Sequence, residues 1–482
     1  MVFVLYKFMI FFKLTSEEVS WRKRMRHSKS RKTIFAKIFC SPRTGLVLML
    51  AVTIIWGACQ SKRGARGPDE QKKVKLGIEV FLEKHLDLVE GKRVGLVTNP
   101  TGVNSRLETS VDLFYKNPKI NLVALYGPEH GVRGNAQAGE YVPFYIDTRY
   151  DIPEYSIPVF SLYGQSLKPA KGMFKDIDEY MRSFDTQKVG KIPEHSMVES
   201  IDVLIFDIQD VGTRIYTYVA TMAYCMEASA ENDIEFIVLD RPNPINGISM
   251  EGPLLEYPEY SSFVGLYPVP VRHGMTVGEL ANYFNDKFLQ KKANLTVIPM
   301  QGWRREMWHD ETSLPWVIPS PNMPALDTAT VYPGQVFLEG TNVSEGRGTT
   351  KPFELFGAPW IDGYSLTKEL NRLNLPGVKF REAWFTPTFS KYKGELCGGA
   401  EIHVVDRNQY RSFDSSLFII KTILEMYPEN FKFHTEYFDK IIGTSKIREA
   451  IEEGTEVRDI ISIYQEELSR FSKQRESYLL YK

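Results

Sequence analysis

The segment YGPEHGVRG, residues 126–134, places a carboxylate directly beside an imidazole, at Glu129 and His130. Arg133 lies close by, and proline and glycine residues frame the charged positions. The segment before it, INLVALY, has the apolar run of a buried strand, so a charged and flexible turn follows directly on a hydrophobic element. Such a turn suits general acid catalysis, because partial burial disfavours the ionised form of a carboxyl group and lets it hold a proton near neutral pH.

Strand-like and helix-like segments alternate through the first part of the chain, which predicts an α/β fold. Short apolar runs separated by helices are typical of a parallel sheet covered on both faces. We predict helices at Leu107–Tyr115 and Thr213–Ser229, and a helix start at Thr276, where Glu279 completes a capping-box spacing. The predicted strands are KRVGLVT, INLVALY, DVLIFDI, IEFIVL and LTVIP. Together they form a domain that we expect to span residues 73–300.

The pattern changes near residue 300, and residues 301–482 are predicted to form a smaller α+β domain. A long loop-rich segment, EGTNVSEGRGTTKPFELFGAPW, lies in its first half. We interpret the polar stretch Met181–Ser200 as an insertion on the surface of the first domain. The elements predicted for the second domain are a helix at Asp362–Leu373, strands near Val378–Ala383 and Glu401–Val405, and helices near Ser415–Met426 and Val457–Arg470.

Polar loops follow four predicted strands, at the edge where open α/β sheets bind their ligands. Each loop alone has a structural interpretation as a turn; Asp210 could be an N-cap and His130 a structural histidine. Four such loops on one edge favour a binding site. The residues they bring there are Asn99, Glu129, His130, Arg133, Asp210, Arg214, Tyr216, Asp240, Arg241 and Asn243.

Several chemistries lack their sequence motifs. No G-x-G-x-x-G follows KRVGLVT and no P-loop motif occurs, so no nucleotide-phosphate site is expected. The serine-hydrolase motif G-x-S-x-G and the zinc motif H-E-x-x-H are absent as well. A scattered metal site built from His130, His273 and Asp207 or Asp210 remains an alternative. With 59 Lys+Arg against 60 Asp+Glu, the charge gives no indication of nucleic-acid binding.

The N-terminal residues predict export. A stretch dense in Lys and Arg, residues 22–43, precedes the apolar run GLVLMLAVTIIWGA, which ends at Cys59. A basic region followed by a short apolar run is typical of a secretory signal, and the run is shorter than the roughly 20 residues of a spanning helix. Its end resembles the lipobox of bacterial lipoproteins, which predicts a lipidated Cys59; a non-lipidated signal or a retained anchor are the alternatives. Residues 1–58 would then be an N-terminal extension and signal peptide, and residues 59–72 a tether.

The motifs in combination resemble those of the NamZ-type exo-β-N-acetylmuramidases, over about residues 75–482. The motifs are YGPEHGVRG, DIQDVGTRIYTY, DRPNPING, PVRHGMT, PSPNMP and EGTNVSEGRGTTKPFE. The resemblance implies release of N-acetylmuramic acid from the non-reducing ends of peptidoglycan fragments, without a metal or nucleotide cofactor. It also implies a Rossmann-like domain and a smaller C-terminal domain, with the active site in the cleft between them. The family's catalytic glutamate falls on Glu129.

With that activity, Glu129 is expected to be the general acid and His130 to tune or orient it. Asp210 or Asp240 would orient the 2-acetamido group of the substrate if that group assists the reaction. An arginine would suit the lactyl carboxylate that distinguishes N-acetylmuramic acid from N-acetylglucosamine. Arg347, held by Glu345, is the first choice, Arg133 and Arg214 are rivals, and a structural ion pair of Arg347 with Glu345 or Glu339 is the alternative. The predicted substrate-binding set is Asn99, Arg133, Arg214, Tyr216, Asp240, Asn243, His273, Asn322, Glu345 and Arg347.

The expected partners are muramic glycosides derived from peptidoglycan and, through Cys59, a membrane. Neither nucleic acid nor an obligate protein partner is indicated. The protein is predicted to be a membrane-anchored lipoprotein that faces the periplasm. Two other functions stay open: a metal-dependent hydrolase of cell-wall amides using His130, His273 and Asp210, and a sugar-binding lipoprotein without catalytic activity.

Overall fold

The computed structural model describes residues 73–147, 157–164, 167–183 and 200–482. The predicted signal peptide, Cys59 and the tether therefore lie outside the described residues, as does most of the predicted insertion at Met181–Ser200. Within the described part of the chain, no helix is both apolar enough and long enough to cross a bilayer.

A seven-stranded sheet forms the first part of the described chain, in the order β3-β4-β2-β1-β5-β6-β9. Six of its strands are parallel, and β3 pairs antiparallel with β4 at one edge. The predicted α/β class is thereby confirmed. The strands of this part are β1 (Arg93–Thr98), β2 (Asn121–Gly127), β3 (Tyr145–Asp147), β4 (Ile157–Ser161), β5 (Val203–Asp207), β6 (Glu235–Leu239), β7 (Glu251–Leu254), β8 (Pro270–Arg272) and β9 (Leu295–Ile298), with β7 and β8 in a separate hairpin.

The sheet is buried on both faces because its central strands are apolar at successive positions. In β5, Ile205 contributes to the core on one face and Phe206 to the core on the other. One face packs against the helix that contains Cys225, and the other against the helix that contains Phe81. This two-sided burial holds the carboxyl ends of the strands along one edge.

A three-stranded antiparallel sheet, β10-β12-β11, forms the centre of the C-terminal part. Its strands are β10 (Leu355–Ala358), β11 (Val378–Phe385) and β12 (Cys397–Val404), so both strands predicted here exist and are longer than predicted. Residues from 72 onward form one compact unit. The predicted domain boundary near residue 300 stays a prediction.

Helices cover both sheets. The α-helices are α1 (Gly77–Lys84), α2 (Ser110–Tyr115), α3 (Ile177–Arg182), α4 (Tyr218–Glu231), α5 (Val277–Lys287), α6 (Leu326–Gln335), α7 (Gly363–Arg372), α8 (Ser412–Met426), α9 (Thr435–Ile442), α10 (Lys446–Glu452), α11 (Val457–Ile463) and α12 (Gln465–Arg475). Short 3-10 helices lie at Leu86–Leu88, Lys171–Met173, His309–Glu311, Val336–Gly340 and Glu476–Tyr478.

Three predicted helices differ from the observed ones for local reasons. The first begins later than predicted, at α2, because Leu107 has a left-handed φ of 65° and the Thr109 side chain caps the helix by accepting from the Asp112 amide. The second begins only at α4, because residues 213–217 form a loop. The helix predicted at Val457–Arg470 is two helices that meet at Tyr464.

The C-terminal residues return to the parallel sheet and form hydrogen bonds just beyond the ends of β6 and β9. The Tyr481 hydroxyl donates to the Asp240 carboxylate (2.5 Å), and the Met300 amide donates to the same hydroxyl (2.9 Å). The predicted capping box at Thr276 and Glu279 is confirmed, and Asp240 also accepts from the Thr276 hydroxyl (2.8 Å). The chain terminus, α5 and the end of β6 thus share one buried hydrogen-bond network.

Removing the Tyr481 hydroxyl is expected to destabilise the fold. Tyr481→Phe should lower the free energy of unfolding by about 1–3 kcal/mol, because it leaves the buried Asp240 short of a donor. Tyr478→Phe is the control, since that hydroxyl bonds to the exposed Asp286 and its loss should cost at most about 0.5 kcal/mol. Chemical denaturation measures both, and equal losses would contradict a structural role for the buried network.

Candidate active site

A cavity of about 1340 Å³ opens between the carboxyl edge of the parallel sheet and the C-terminal part of the chain. The loops after β2 and β5 form one wall, and residues from α6, α9 and the segments around residues 339–347 and 389–391 form the other. Its polar and aromatic lining includes Glu129, His130, Tyr163, Tyr216, Thr217, Ser320, Asn322, Tyr332, Glu339, Glu345, Arg347, Phe353, Lys391, Tyr437 and Lys440.

Glu129 lies in a tight turn, and donors from two other segments hold its carboxylate. His130 has a φ of 71° and Gly131 a φ of 77°, so the chain reverses immediately after β2. A left-handed φ is uncommon for a residue with a side chain and often marks a functional site. One oxygen of Glu129 accepts from the Gly139 amide (3.1 Å), and the other accepts from the Thr217 hydroxyl (2.8 Å). Glu129 is only 8% exposed and lines the cavity, with its carboxylate held by these two hydrogen bonds.

The imidazole of His130 is fixed by the same turn. Its Nδ1 lies 2.8 Å from the Ala136 carbonyl oxygen, and since a carbonyl only accepts, Nδ1 carries the proton. In the neutral ring Nε2 is then the acceptor. His130 also lines the cavity, so the predicted pairing of Glu129 with His130 at one site is present in the structure.

Tyrosines complete the surroundings of Glu129. Burial and the charge of neighbouring Glu129 raise the pKa of Tyr163, so its hydroxyl stays a donor across the physiological range. Tyr216, on the loop after β5, packs edge-on against Tyr332 of α6, with ring centroids 5.7 Å apart. Tyr332 in turn packs on Phe353, which gives the cavity an aromatic floor reaching from one wall to the other.

The C-terminal wall carries a network of compensated charges. Arg347 donates to Glu339 (2.6 Å) and lies 3.4 Å from Glu345. Lys391 lies 3.0 Å from the other oxygen of Glu345, and Tyr437 donates to Glu339 (3.1 Å). Burial alone would lower the pKa of Arg347, but the two glutamates outweigh it and raise the pKa above its ordinary value. These contacts favour the structural ion pair over the carboxylate clamp as the role of Arg347.

Glu129 differs from the other two carboxylates of the cavity. Glu339 and Glu345 both pair with basic side chains, whereas Glu129 has no basic partner among the described residues. Its hydrogen bonds come from an amide and hydroxyl groups. Of the three, Glu129 is therefore the carboxylate that can exchange a proton without breaking an ion pair.

Arg214 is buried away from the cavity, which corrects its predicted role in substrate binding. Its guanidinium donates to the carbonyls of Pro253, Val269, Ile441 and Ile442, at 2.7–3.1 Å. Burial lowers the pKa of Arg214 to about 9. These bonds join the hairpin region to the end of α9, so Arg214 connects the two parts of the protein.

Four more predicted binding residues lie outside the cavity lining. Asp240 is fully buried in the network with Tyr481, where it also accepts from the Gly278 amide (2.8 Å). Asn243 donates to the Met275 carbonyl (3.0 Å), and Asn99 accepts from the Thr101 amide (2.9 Å), so both hold turns. Arg133 is exposed at the surface. None of the four residues lines the cavity, and the polar groups of Asp240, Asn243 and Asn99 serve the fold.

Asp210 and His273 form a buried pair behind the wall that carries Tyr216. Asp210 accepts from the Gly212 amide (2.6 Å), and Nε2 of His273 lies 4.0 Å from the same carboxylate. Burial raises the pKa of Asp210 to about 7 and lowers that of His273 to about 3. Neither lines the cavity, and Asp210 is not the N-cap of α4, which is Thr217. Among the described residues no three His, Cys, Asp or Glu side chains converge as metal ligands, so His130 does not join this pair.

Asn322 is the predicted residue that the connection between the two parts brings to the cavity, together with Ser320. The sequence did not indicate the cavity residues Tyr163, Thr217, Lys391, Tyr437 and Lys440. Thr217 lies within the motif DIQDVGTRIYTY, and its spacing from the strand end could have indicated it. The others lie in segments without a recognisable motif.

The fold and the cavity define a two-part α/β protein whose polar, aromatic cleft contains, among the described residues, one carboxylate without a basic partner. Family models place the chain more narrowly: the N-terminal model of exo-beta-N-acetylmuramidase NamZ matches residues 94–192 and 188–327, and the C-terminal model matches residues 330–481. The chain belongs to this family, as the sequence motifs predicted.

Comparisons with individual proteins support the same family. The chain is 50% identical over 452 residues to the peptidoglycan beta-N-acetylmuramidase NamZ of Bacillus subtilis (strain 168), which covers 94% of this chain and 100% of the relative. Two crystal structures of DUF1343 family proteins from Bacteroides fragilis NCTC 9343 are similar in fold. One is 37% identical with a TM-score of 0.73 and the other 30% identical with a TM-score of 0.63; each covers 85% of this chain and 99% of its own.

Titration of Asp210 is expected to appear in the pH dependence of stability. Because its pKa is higher in the folded protein than in the unfolded chain, its contribution is fully present below about pH 4 and lost as the pH rises to about 7. The stability of the wild type relative to Asp210→Asn should therefore fall by a few kcal/mol between those pH values and stay level above them. Denaturation curves across that range measure the difference, and a difference that is independent of pH would contradict the assignment.

Proposed function

We propose that this protein is an exo-acting glycoside hydrolase that releases N-acetylmuramic acid from the non-reducing end of peptidoglycan fragments, with Glu129 as the general acid. The observation that carries the role of Glu129 is its position: it is the cavity carboxylate without a basic partner among the described residues. Membership of the family supports the substrate and the reaction.

The surroundings of Glu129 suit proton donation. A protonated Glu129 gives its proton to the glycosidic oxygen as the bond from that oxygen to the anomeric carbon breaks. The Gly139 amide and the Thr217 hydroxyl hold the carboxyl group in place, and both can donate to the carboxylate that remains. His130, fixed through Nδ1, orients the turn that carries Glu129.

The cavity supports substrates larger than one sugar. Its volume of about 1340 Å³ exceeds the roughly 300–1,000 Å³ of ordinary small-molecule sites. The aromatic floor of Tyr216, Tyr332 and Phe353 offers apolar surface for sugar rings. A disaccharide or longer fragment therefore fits the space between the two walls.

If the 2-acetamido group of the substrate assists the reaction, Asp210 is the remaining candidate for the carboxylate that orients this group. Asp240 is committed to four donors, the Arg241 and Gly278 amides and the Thr276 and Tyr481 hydroxyls. Asp210 does not line the cavity, but its charge, after burial, raises the pKa of Tyr216, which does; Asp210 would therefore act through Tyr216 as a positioning residue. Loss of activity in Asp210→Asn, with Asp240→Asn affected only in stability, supports this role; unchanged turnover in both variants removes it.

Export and lipidation of Cys59 are proposed on the sequence alone. A basic region, a short apolar run and a lipobox-like end support them. Cells that express the full chain should incorporate labelled fatty acid into the protein, and Cys59→Ser should abolish that label. A wild-type protein without label would overturn the proposal of a lipid anchor and of a membrane-bound location in the periplasm.

Replacing Glu129 tests the catalytic proposal. Glu129→Gln should fold normally and release N-acetylmuramic acid from a MurNAc–GlcNAc disaccharide at least about 100-fold more slowly, the scale of general acid catalysis. Glu140→Gln is the matched control, because Glu140 is an exposed glutamate of the same loop region outside the cavity lining. Mass spectrometry of the products measures the rates, and near-wild-type turnover by Glu129→Gln would contradict the role of Glu129 as the general acid.

The same assay separates the other functions left open by the sequence. Turnover that survives a chelator argues against a metal-dependent hydrolase. Any release of N-acetylmuramic acid argues against a protein that only binds sugars.

A further inference from the structure

Lys440 is a second unpaired charge in the cavity, on the wall opposite Glu129. It lies in the last turn of α9, three residues after Tyr437, so both side chains project from the same side of the helix. Both line the cavity. Lys440 is exposed, and within the described part of the chain its ammonium group has no hydrogen bond or ion pair.

The other charges of this wall cancel. Glu339 and Glu345 carry two negative charges, and Arg347 and Lys391 carry two positive charges in direct contact with them. Lys391 has no donor left, because its ammonium also donates to the carbonyls of Leu338 (2.7 Å) and Val343 (3.1 Å). The surplus positive charge of the wall is therefore that of Lys440.

A substrate carboxylate gains little from Arg347. The substrate carboxylate would approach a guanidinium that already pairs with two glutamates. Those glutamates would lie at a similar distance from the substrate carboxylate and would repel it. An exposed ammonium on a flexible stem has no such competitor and can adapt its position to the ligand.

We propose that Lys440 binds the carboxylate of the lactyl ether of the muramic residue and so selects N-acetylmuramic acid over N-acetylglucosamine. This inference rests on the proposed function. The chemistry recognised is a carboxylate on the sugar placed in the cavity. In a fragment that carries a stem peptide the lactyl carboxyl is an amide, and the peptide would supply the carboxylates instead.

Binding measurements on the full-length protein test the proposal separately from catalysis. The probes are N-acetylmuramic acid, its neutral methyl ester, N-acetylglucosamine and a muramoyl dipeptide, titrated by calorimetry. Lys440→Gln should weaken N-acetylmuramic acid about 10- to 100-fold, the loss expected for a charge-assisted hydrogen bond. Binding of the methyl ester and of N-acetylglucosamine should change less than about twofold.

Two further variants sharpen the result. Lys440→Arg should restore most of the affinity for N-acetylmuramic acid, because it keeps the charge. Lys432→Gln, which removes an exposed lysine outside the cavity lining, should bind all four probes as the wild type does. On the disaccharide, Lys440→Gln should raise KM and leave kcat nearly unchanged.

Equal weakening of the acid and its ester, or no weakening of either, would overturn the role of Lys440. A loss confined to the muramoyl dipeptide would overturn the lactyl assignment in favour of a peptide carboxylate. Failure of the proposed function has a different signature: the wild type would release no N-acetylmuramic acid from the disaccharide, whatever the binding data show.

Discussion

Buried charges in this protein are compensated inside the fold, and that constraint decides which polar residues remain for a substrate. Leaving an ionised group unpaired in the interior costs several kcal/mol. Asp207 at the end of β5 accordingly pairs with Arg241 at 2.6 Å, and Glu251 pairs with Arg272 at 2.7 Å. Arg214 reaches four backbone carbonyls instead. On the cavity walls Arg347 and Lys391 likewise pair with two glutamates, and among the described charged residues there Glu129 and the exposed Lys440 have no such partner.

These buried contacts also fix the two walls of the cavity relative to each other. Arg214 bonds to carbonyls on both sides, at Val269 and at Ile442. Arg475 of α12 donates to the His273 and Gly274 carbonyls near the sheet edge. A general acid must lie within hydrogen-bond reach of the oxygen it protonates, so the position of one wall against the other bears directly on catalysis. Several motif residues that do not touch the cavity contribute to the site in this way.

The sequence predicted the parallel sheet, five of its seven strands and the edge at which the site lies, because apolar runs and the loops after them depend on local residue types; it did not predict β3 and β4. It predicted Glu129 and His130 for the same reason. It could not separate these two from Asp240 or Asn243, which occur in similar polar loops, because a sequence does not reveal which side chains are already hydrogen-bonded within the fold. Lys440 was missed since nothing near it in the chain resembles a motif; its importance depends on charges that cancel elsewhere on the same wall.

The most direct test of the account is how the role of Glu129 depends on the leaving group. In an aryl muramic glycoside made from an acidic phenol, the leaving group departs as the phenolate and needs no proton. The sugar leaving group of the disaccharide does need one. If Glu129 donates the proton, the ratio of wild-type to Glu129→Gln kcat/KM is large for the disaccharide and at least about tenfold smaller for the aryl glycoside. The same ratio for both substrates would contradict proton donation by Glu129.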